Sequence, residues 1–399
     1  MLGLRSKRNS GGERRDSSLN YRLLPIGAVV LILAALSVES WQAKEGTAST
    51  KGASTIPVIY TTDLFHPHDD PDDHFDLATI FAMPEVDLKG IVLDQGDKQL
   101  KRPGAIPVTQ MNEMTGRNVP TVLGLTEKLK SPTDKALDQK PEFQKGVEFI
   151  LDTLTNSPSP VMITTIGSVR DVVAAYNRNP ALFKDKVAKL LVFIGEASNP
   201  SFQEYNVKLD LQAYVGLMRS GLPIYWVPCF DGGIWKNAGH ASFWKAKHED
   251  LFRKASPELI QFFIYALQKE NSDPLAFLSS AVDPQRHAQL FAGTRNLWCM
   301  AIFGVLSGRE VTFDGTKYRS GPSTNRKAQA AVLSNDLFGF SEVDISVSDD
   351  GIVRYGKSRD SKKVMRFEVR NKAKYAEGMT AMAAELLSKL GRSKVKSGK

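Results

Sequence analysis

Thr61-Thr62-Asp63-Leu64-Phe65-His66-Pro67-His68-Asp69-Asp70-Pro71-Asp72-Asp73-His74-Phe75-Asp76 holds six carboxylates and three of the chain's six histidines. Ahead of it, Pro57-Val58-Ile59-Tyr60 has the apolar, β-branched character of a buried strand. Behind it, Phe75, Leu77, Ile80 and Phe81 recur at helical spacing. The acids therefore lie between a strand and a helix. In an open α/β sheet that is the carboxyl end of a strand, where ligands bind. So many anions in one turn raise the electrostatic energy unless protons or cations neutralise them, and a hard metal ion is the natural counterpart. The plainer reading of the same residues is an acidic surface loop.

Downstream, strand-like and helix-like stretches alternate. The pattern predicts a helix over 72–83, a strand at Leu88–Asp94, a helix at Ile106–Thr115 and a strand at Pro120–Leu125. A helix over Phe143–Leu154 then leads to a strand at Val161–Ile166, and a helix from Val169 to Tyr176 to a strand at Leu190–Ile194. Leu209–Met218 reads as an amphipathic helix, and Pro223–Pro228 as a strand. The fold class is thus α/β, an open, mostly parallel, Rossmann-like sheet of about six strands flanked by helices. Between Gly232 and Lys254 no period is legible. Helices are predicted at Pro257–Leu267 and Pro274–Ala281, and Leu297–Leu306 is apolar enough to be buried. Beyond Ser307, Val343–Val347 and Ile352–Tyr355 read as a hairpin, Met365–Arg370 as a further strand and Ala373–Leu390 as a helix. These form a small C-terminal β-hairpin and helix extension.

At 399 residues, with 42% hydrophobic and 24% charged residues, the chain is globular and long enough for a large core. Its formal charge of +8 sits at its ends, +4 in the lead Arg5–Arg22 and +4 in the tail Arg392–Lys399. A neutral middle gives no reason to expect nucleic acid as a partner. Cys229 and Cys299 are spaced for neither a disulfide scaffold nor a zinc site and read as buried free thiols. Residues 23–38 form an apolar run behind the basic lead 1–22, read as an export signal or a membrane anchor, with a core helix as the plainer alternative. The expected placement is extracytoplasmic, exported or periplasmic or tethered to the membrane by this segment. A linker at 39–55, a folded domain at 56–391 and a basic tail at 392–399 complete the organisation.

Taken with later residues, the acid turn resembles the opening of the nucleoside hydrolase family, the calcium-dependent, inosine-uridine-preferring type, whose members cut N-glycosidic bonds of ribonucleosides. That family has a strand, Asp-x-Asp-x-x-x-Asp-Asp and a helix; here Thr61-Thr62-Asp63 and Asp72-Asp73 match. Met83-Pro84-Glu85-Val86-Asp87-Leu88-Lys89-Gly90-Ile91 is similar to the family's passage into its second strand. Gln95-Gly96-Asp97 stands where the family has Gly-Asn, and Ile166-Gly167 where a Thr-Gly pair lends a carbonyl to the metal. Asn199 lies near a sugar-binding Asn, Glu204-Tyr205-Asn206 resembles the Glu-Phe-Asn that grips the ribose, and Ser272-Asp273-Pro274-Leu275-Ala276 resembles His-Asp-Pro-Leu-Ala. Three positions depart from the pattern. Thr61 replaces the first Asp, the loop Leu64–Pro71 is longer, and Ser272 replaces a His that can protonate the leaving base.

The resemblance implies a Ca2+ site built from Asp63, Asp73, the Ile166 carbonyl and Asp273, with Asp63 as general base toward a metal-bound water. It implies that Asp72, Asp97, Asn199, Glu204 and Asn206 hold substrate hydroxyls, and that the partner is a small-molecule nucleoside or riboside. Family members are commonly homo-oligomers. Each role has a plainer counterpart. Asp72, Asp73 and Asp273 suit helix caps, and Asp97, Glu204 and Asn206 suit turns. Ser272 and the remodelled turn prompt an alternative, a sugar- or nucleoside-binding protein of the same fold with weakened catalysis. A third reading uses His66 and His68 with a transition metal on another bond. His74, Asp69, Asp70 and Asp76 receive no settled role.

Overall fold

The computed structural model describes residues 56–306, 308–322 and 335–391, all within one compact unit. The segments read above as lead, apolar run, linker and basic tail lie outside the described residues. No described helix is long and apolar enough to cross a membrane.

Six strands follow the predicted order: β1 (Ile56–Thr62), β2 (Val86–Leu93), β3 (Thr121–Leu123), β4 (Val161–Ile166), β5 (Val187–Phe193) and β6 (Ile224–Val227). They are parallel, and helices connect most of them, so their carboxyl ends share one edge. Burial on both faces explains the continuous apolar runs. Val58 and Tyr60 of β1 join one core while Ile59 joins the other, the period-two alternation of a strand between two layers. The first core gathers the helices Asp72–Phe81, Ala105–Thr115, Pro257–Leu267 and Tyr375–Leu387; the second gathers Lys145–Asn156, Arg170–Arg178 and Leu211–Arg219.

The unassigned stretch after Gly232 contains β7 (Trp244–Lys247), which pairs antiparallel with β8 (Thr294–Leu297). Its partner is about fifty residues away in sequence, which is why no local period revealed it. β9 (Arg309–Phe313) and β10 (Tyr318–Pro322) form a hairpin. The C-terminal strands β11 (Phe338–Val347), β12 (Val353–Tyr355) and β13 (Lys362–Val369) extend the main sheet, because β13 docks parallel to β6 at Met365 opposite Tyr225. The result is one nine-stranded sheet in the order β12-β11-β13-β6-β5-β4-β1-β2-β3. β12 reaches back toward the strand ends, where Tyr355 donates its hydroxyl proton to the Ala197 carbonyl at 2.7 Å.

Candidate functional site

At the carboxyl edge of the sheet is a cavity of about 440 Å3. Asp63 enters it directly after β1, Ile166 at the end of β4 and Cys229 just after β6, while Asp72, Asp73 and Asp76 come from the first turns of the helix that follows β1. Thr62 joins turn to helix. Its Oγ1 accepts from the Leu64 amide at 3.1 Å and donates to Asp73 Oδ1 at 3.2 Å. Asp72 and Asp76, four residues apart, share a helix face, a spacing that could have marked Asp76 from the sequence.

The acids divide into two groups. Asp69 pairs with Lys98 and Arg102, both at 2.6 Å, and Asp70 with Arg295 at 3.1 Å. Burial pushes the Asp69 carboxyl up, but the two cations outweigh it and hold it below the usual range. Asp63, Asp72, Asp73 and Asp76 form no ion pair among the described residues, and Lys98 and Arg295 act on Asp63 and Asp72 only as minor opposing charges. Burial, reinforced by the neighbouring Asp94 charge, pushes Asp63 up to about 8. Burial first and neighbouring carboxylates second raise Asp72 and Asp73 well above the usual range. Such a group of oxygens suits a hard divalent cation, which would relieve both the desolvation and the mutual repulsion. Among the described residues, no three His, Cys, Asp or Glu side chains are already arranged around a common point as metal ligands.

The far wall is aromatic. Phe230 meets Phe202, Trp235 and Trp298 edge-on at centroid distances of 5.8, 5.5 and 5.9 Å, and Trp235 lies 6.1 Å from Trp298. Trp298 is fixed by its indole N–H, which donates to the Cys229 carbonyl at 2.9 Å. Behind it, the buried Asp76 accepts from the Met300 amide at 3.0 Å and from the Cys299 thiol, and burial pushes its carboxyl up to about 7 despite those bonds. Trp235 is 50% exposed and Ile234 53%, so both stand at the cavity rim.

The residues singled out from the sequence do not all meet here. Asp63, Asp72, Asp73, Ile166, Glu204 and Asn206 line the cavity; Asp97, Asn199 and Asp273 do not. Asp97 accepts from the Thr126 hydroxyl in a neighbouring cleft. The Asn199 side chain accepts from the Ser201 amide at 3.0 Å, within its own loop. Asp273 is exposed and caps the helix Pro274–Leu278, accepting from the Leu275 and Ala276 amides at 3.1 and 2.7 Å. Glu204 is buried, and its oxygens accept from the Gly195, Asn206 and Val207 amides, so it caps the helix Tyr205–Leu209. Ser272 lies outside the cavity, and its carbonyl accepts from the Tyr265 hydroxyl at 2.8 Å.

Several residues have roles that no local pattern announces. Asp94, at the end of β2, accepts from the Gln95 and Ser168 amides at 2.8 and 2.9 Å, and so ties the end of β2 to the loop after β4. At Gly167 (φ +125°), a Cβ would come 3.2 Å from both Asp63 Oδ1 and Asp94 Oδ2, so a side chain there would crowd the acids. Glu196, after β5, accepts from the Ser198, Asn199, Gly232 and Gly233 amides at 2.7–3.1 Å. It thereby holds the rim loop that carries Ile234 and Trp235. Glu196→Ala is expected to speed hydrogen exchange at the Gly232 and Gly233 amides by roughly tenfold or more, since charge-assisted bonds are lost. Unchanged exchange would mean that the loop is held by its aromatic packing.

The model of the inosine-uridine preferring nucleoside hydrolase family matches residues 58–394. A pyrimidine-specific ribonucleoside hydrolase, RihA, of Citrobacter koseri is 27% identical over 193 residues, 42% of this chain and 58% of that protein. RihA of Salmonella typhi is 25% identical over 192 residues, with the same two shares. The match therefore spans little more than half the length of these curated relatives. Among solved structures, an inosine-uridine preferring nucleoside hydrolase from Bacillus anthracis aligns with 84% of this chain and 100% of its own, at 14% identity and a TM-score of 0.47.

Proposed function

The chain belongs to the inosine-uridine preferring nucleoside hydrolase family, and from that premise we propose that it hydrolyses the N-glycosidic bond of ribonucleosides or related N-ribosides. The observation that supports this best is the cavity itself, with carboxylates that have no ion-pair partner, Asp63, Asp72 and Asp73, near the strand ends and an aromatic wall facing them. A sugar suits the acids and a flat base suits the rings.

In this reaction a water molecule adds to the anomeric carbon, the bond from that carbon to the base nitrogen breaks, and the water's proton passes by way of Asp63 to solvent or the leaving base. Asp63, at the mouth of β1, takes that proton as general base. Asp72 and Asp73 stabilise the positive charge that develops on the sugar ring. Asp72 and Asn206 hold ribose hydroxyls and so fix the angle of attack. Calcium, held by Asp63, Asp73 and the strand-end carbonyl of Ile166, would supply an oriented water of lowered pKa. Asp273 is not part of this set, because its carboxylate caps a helix outside the cavity.

The test is release of free base from a panel of ribonucleosides, with calcium and with chelator. Release that chelator abolishes and calcium restores is the expected result. A second reading, a nucleoside-binding protein with weakened catalysis, is favoured by one observation: among the described residues no histidine lines the cavity to protonate a leaving base. Ribonucleoside binding without release of base would establish that reading and overturn the first.

A further inference from the structure

A second cleft, of about 390 Å3, adjoins the acid cavity and has the opposite charge. Its walls include Lys98, Lys101, Lys128, Lys208 and Arg170, with Asp97 as the acid facing them. Lys208 lines both spaces, and Lys98 reaches from this cleft to Asp69, which lines the acid cavity.

The cations differ in what they have left to offer. Arg170 is 3% exposed and fully engaged, with Asp210 at 2.9 Å and the carbonyls of Leu125, Thr126 and Leu209. Lys98 shares Asp69 with Arg102. Lys101, Lys128 and Lys208 have no carboxylate partner among the described residues. Lys128 is pinned in place, donating to the Lys208 carbonyl at 2.7 Å, and Asp97 is occupied by the Thr126 hydroxyl. Residues 56–391 together carry no net formal charge, so this concentration of lysines is not a by-product of a basic domain. A cleft walled by one sign of charge concentrates ligands of the other.

We propose that this cleft is a phosphate subsite, and that the riboside taken by the acid cavity carries a phosphate ester on its ribose. The inference rests on the hydrolase reading above, which places the sugar at Asp63, Asp72 and Asn206. The phosphate then lies among Lys101, Lys128 and Lys208, with Lys208 at the junction. Lysine suits this role as a compact point charge whose ammonium has three N–H donors, so that even Lys128, with one of them on the Lys208 carbonyl, keeps two for phosphate oxygens.

The experiment is a ligand-observed NMR titration of the full chain, in calcium at low salt, with D-ribose 5-phosphate, D-ribose and inorganic phosphate. Ribose 5-phosphate is expected to bind roughly tenfold more tightly than ribose, the worth of one charge-assisted hydrogen bond. In the double variant Lys101→Ala/Lys128→Ala that preference is expected to vanish while ribose affinity stays unchanged. Equal affinity of the wild type for the two sugars would overturn the subsite and leave the hydrolase reading intact. A preference that survives in the variant would also overturn it, since the phosphate would then lie elsewhere. Inorganic phosphate binding as tightly as the sugar phosphate would overturn the link to ribose. Binding of neither sugar would overturn the subsite and the hydrolase reading together.

Discussion

Asp63→Asn is expected to lower kcat for base release by roughly a thousandfold, within the usual contribution of a positioned general base. The amide keeps an oxygen for a cation but cannot take a proton. Asp63→Ala removes both functions. Calcium affinity, measured by calorimetry, is therefore expected to fall more in the alanine variant than in the asparagine one, while kcat falls in both. The position supports the assignment: Asp63 follows the last residue of β1 and, at Gly167, lies beside the end of β4. If Asp63→Asn kept kcat within a few-fold of wild type, the base would have to be sought elsewhere in the cavity.

Arg170→Ala is expected to lower the free energy of unfolding by about 3–5 kcal/mol, the effect of leaving one member of a buried ion pair without the other. Asp210, completely buried, accepts from Arg170 at 2.9 Å, from the Leu129 amide at 2.8 Å and from the Ala213 amide at 3.0 Å, capping the helix Leu211–Arg219. The guanidinium also gathers three backbone carbonyls from two separate segments, Leu125 and Thr126 on one and Leu209 on the other. Urea denaturation would read the loss directly. Replacing both partners, as Arg170→Leu/Asp210→Leu, is expected to cost less than the single change, because no charge is then stranded. A single-variant loss below about 1 kcal/mol would mean that water reaches the carboxylate and solvates it.

Sequence and structure agree best where the information is local. The apolar runs of β1, β4 and β5 and the helix at Pro257–Leu267 are legible because burial on both faces, or on one helical stripe, leaves its period in the chain. The acid turn is legible for the same reason, since Asp63, Asp72 and Asp73 sit within eleven residues of one another. Partners brought in from far along the chain are not. Trp298 and Cys299 reach the cavity through the β7–β8 pairing and the bond from Met300 to Asp76, and neither leaves a local signature. Asp273 illustrates a different limit. A carboxylate ahead of Pro at a helix start is written the same way whether it holds backbone amides or a metal, and only its surroundings tell them apart. The C-terminal hairpin was readable as a hairpin, but its docking through β13 onto β6 depends on two residue pairs that pattern alone does not select.

The bond between Asp76 and Met300 spans 224 residues. A ribosome adding roughly 5–20 residues per second would expose the acid turn some ten to forty-five seconds before the segment that closes its back wall. Through that interval the nascent chain presents clustered carboxylates and bare strand ends together. A chain released before Trp298 would have the acids but not the wall that Trp298 and Cys299 supply, so the part of the molecule that looks most like a site from its opening residues is completed only late.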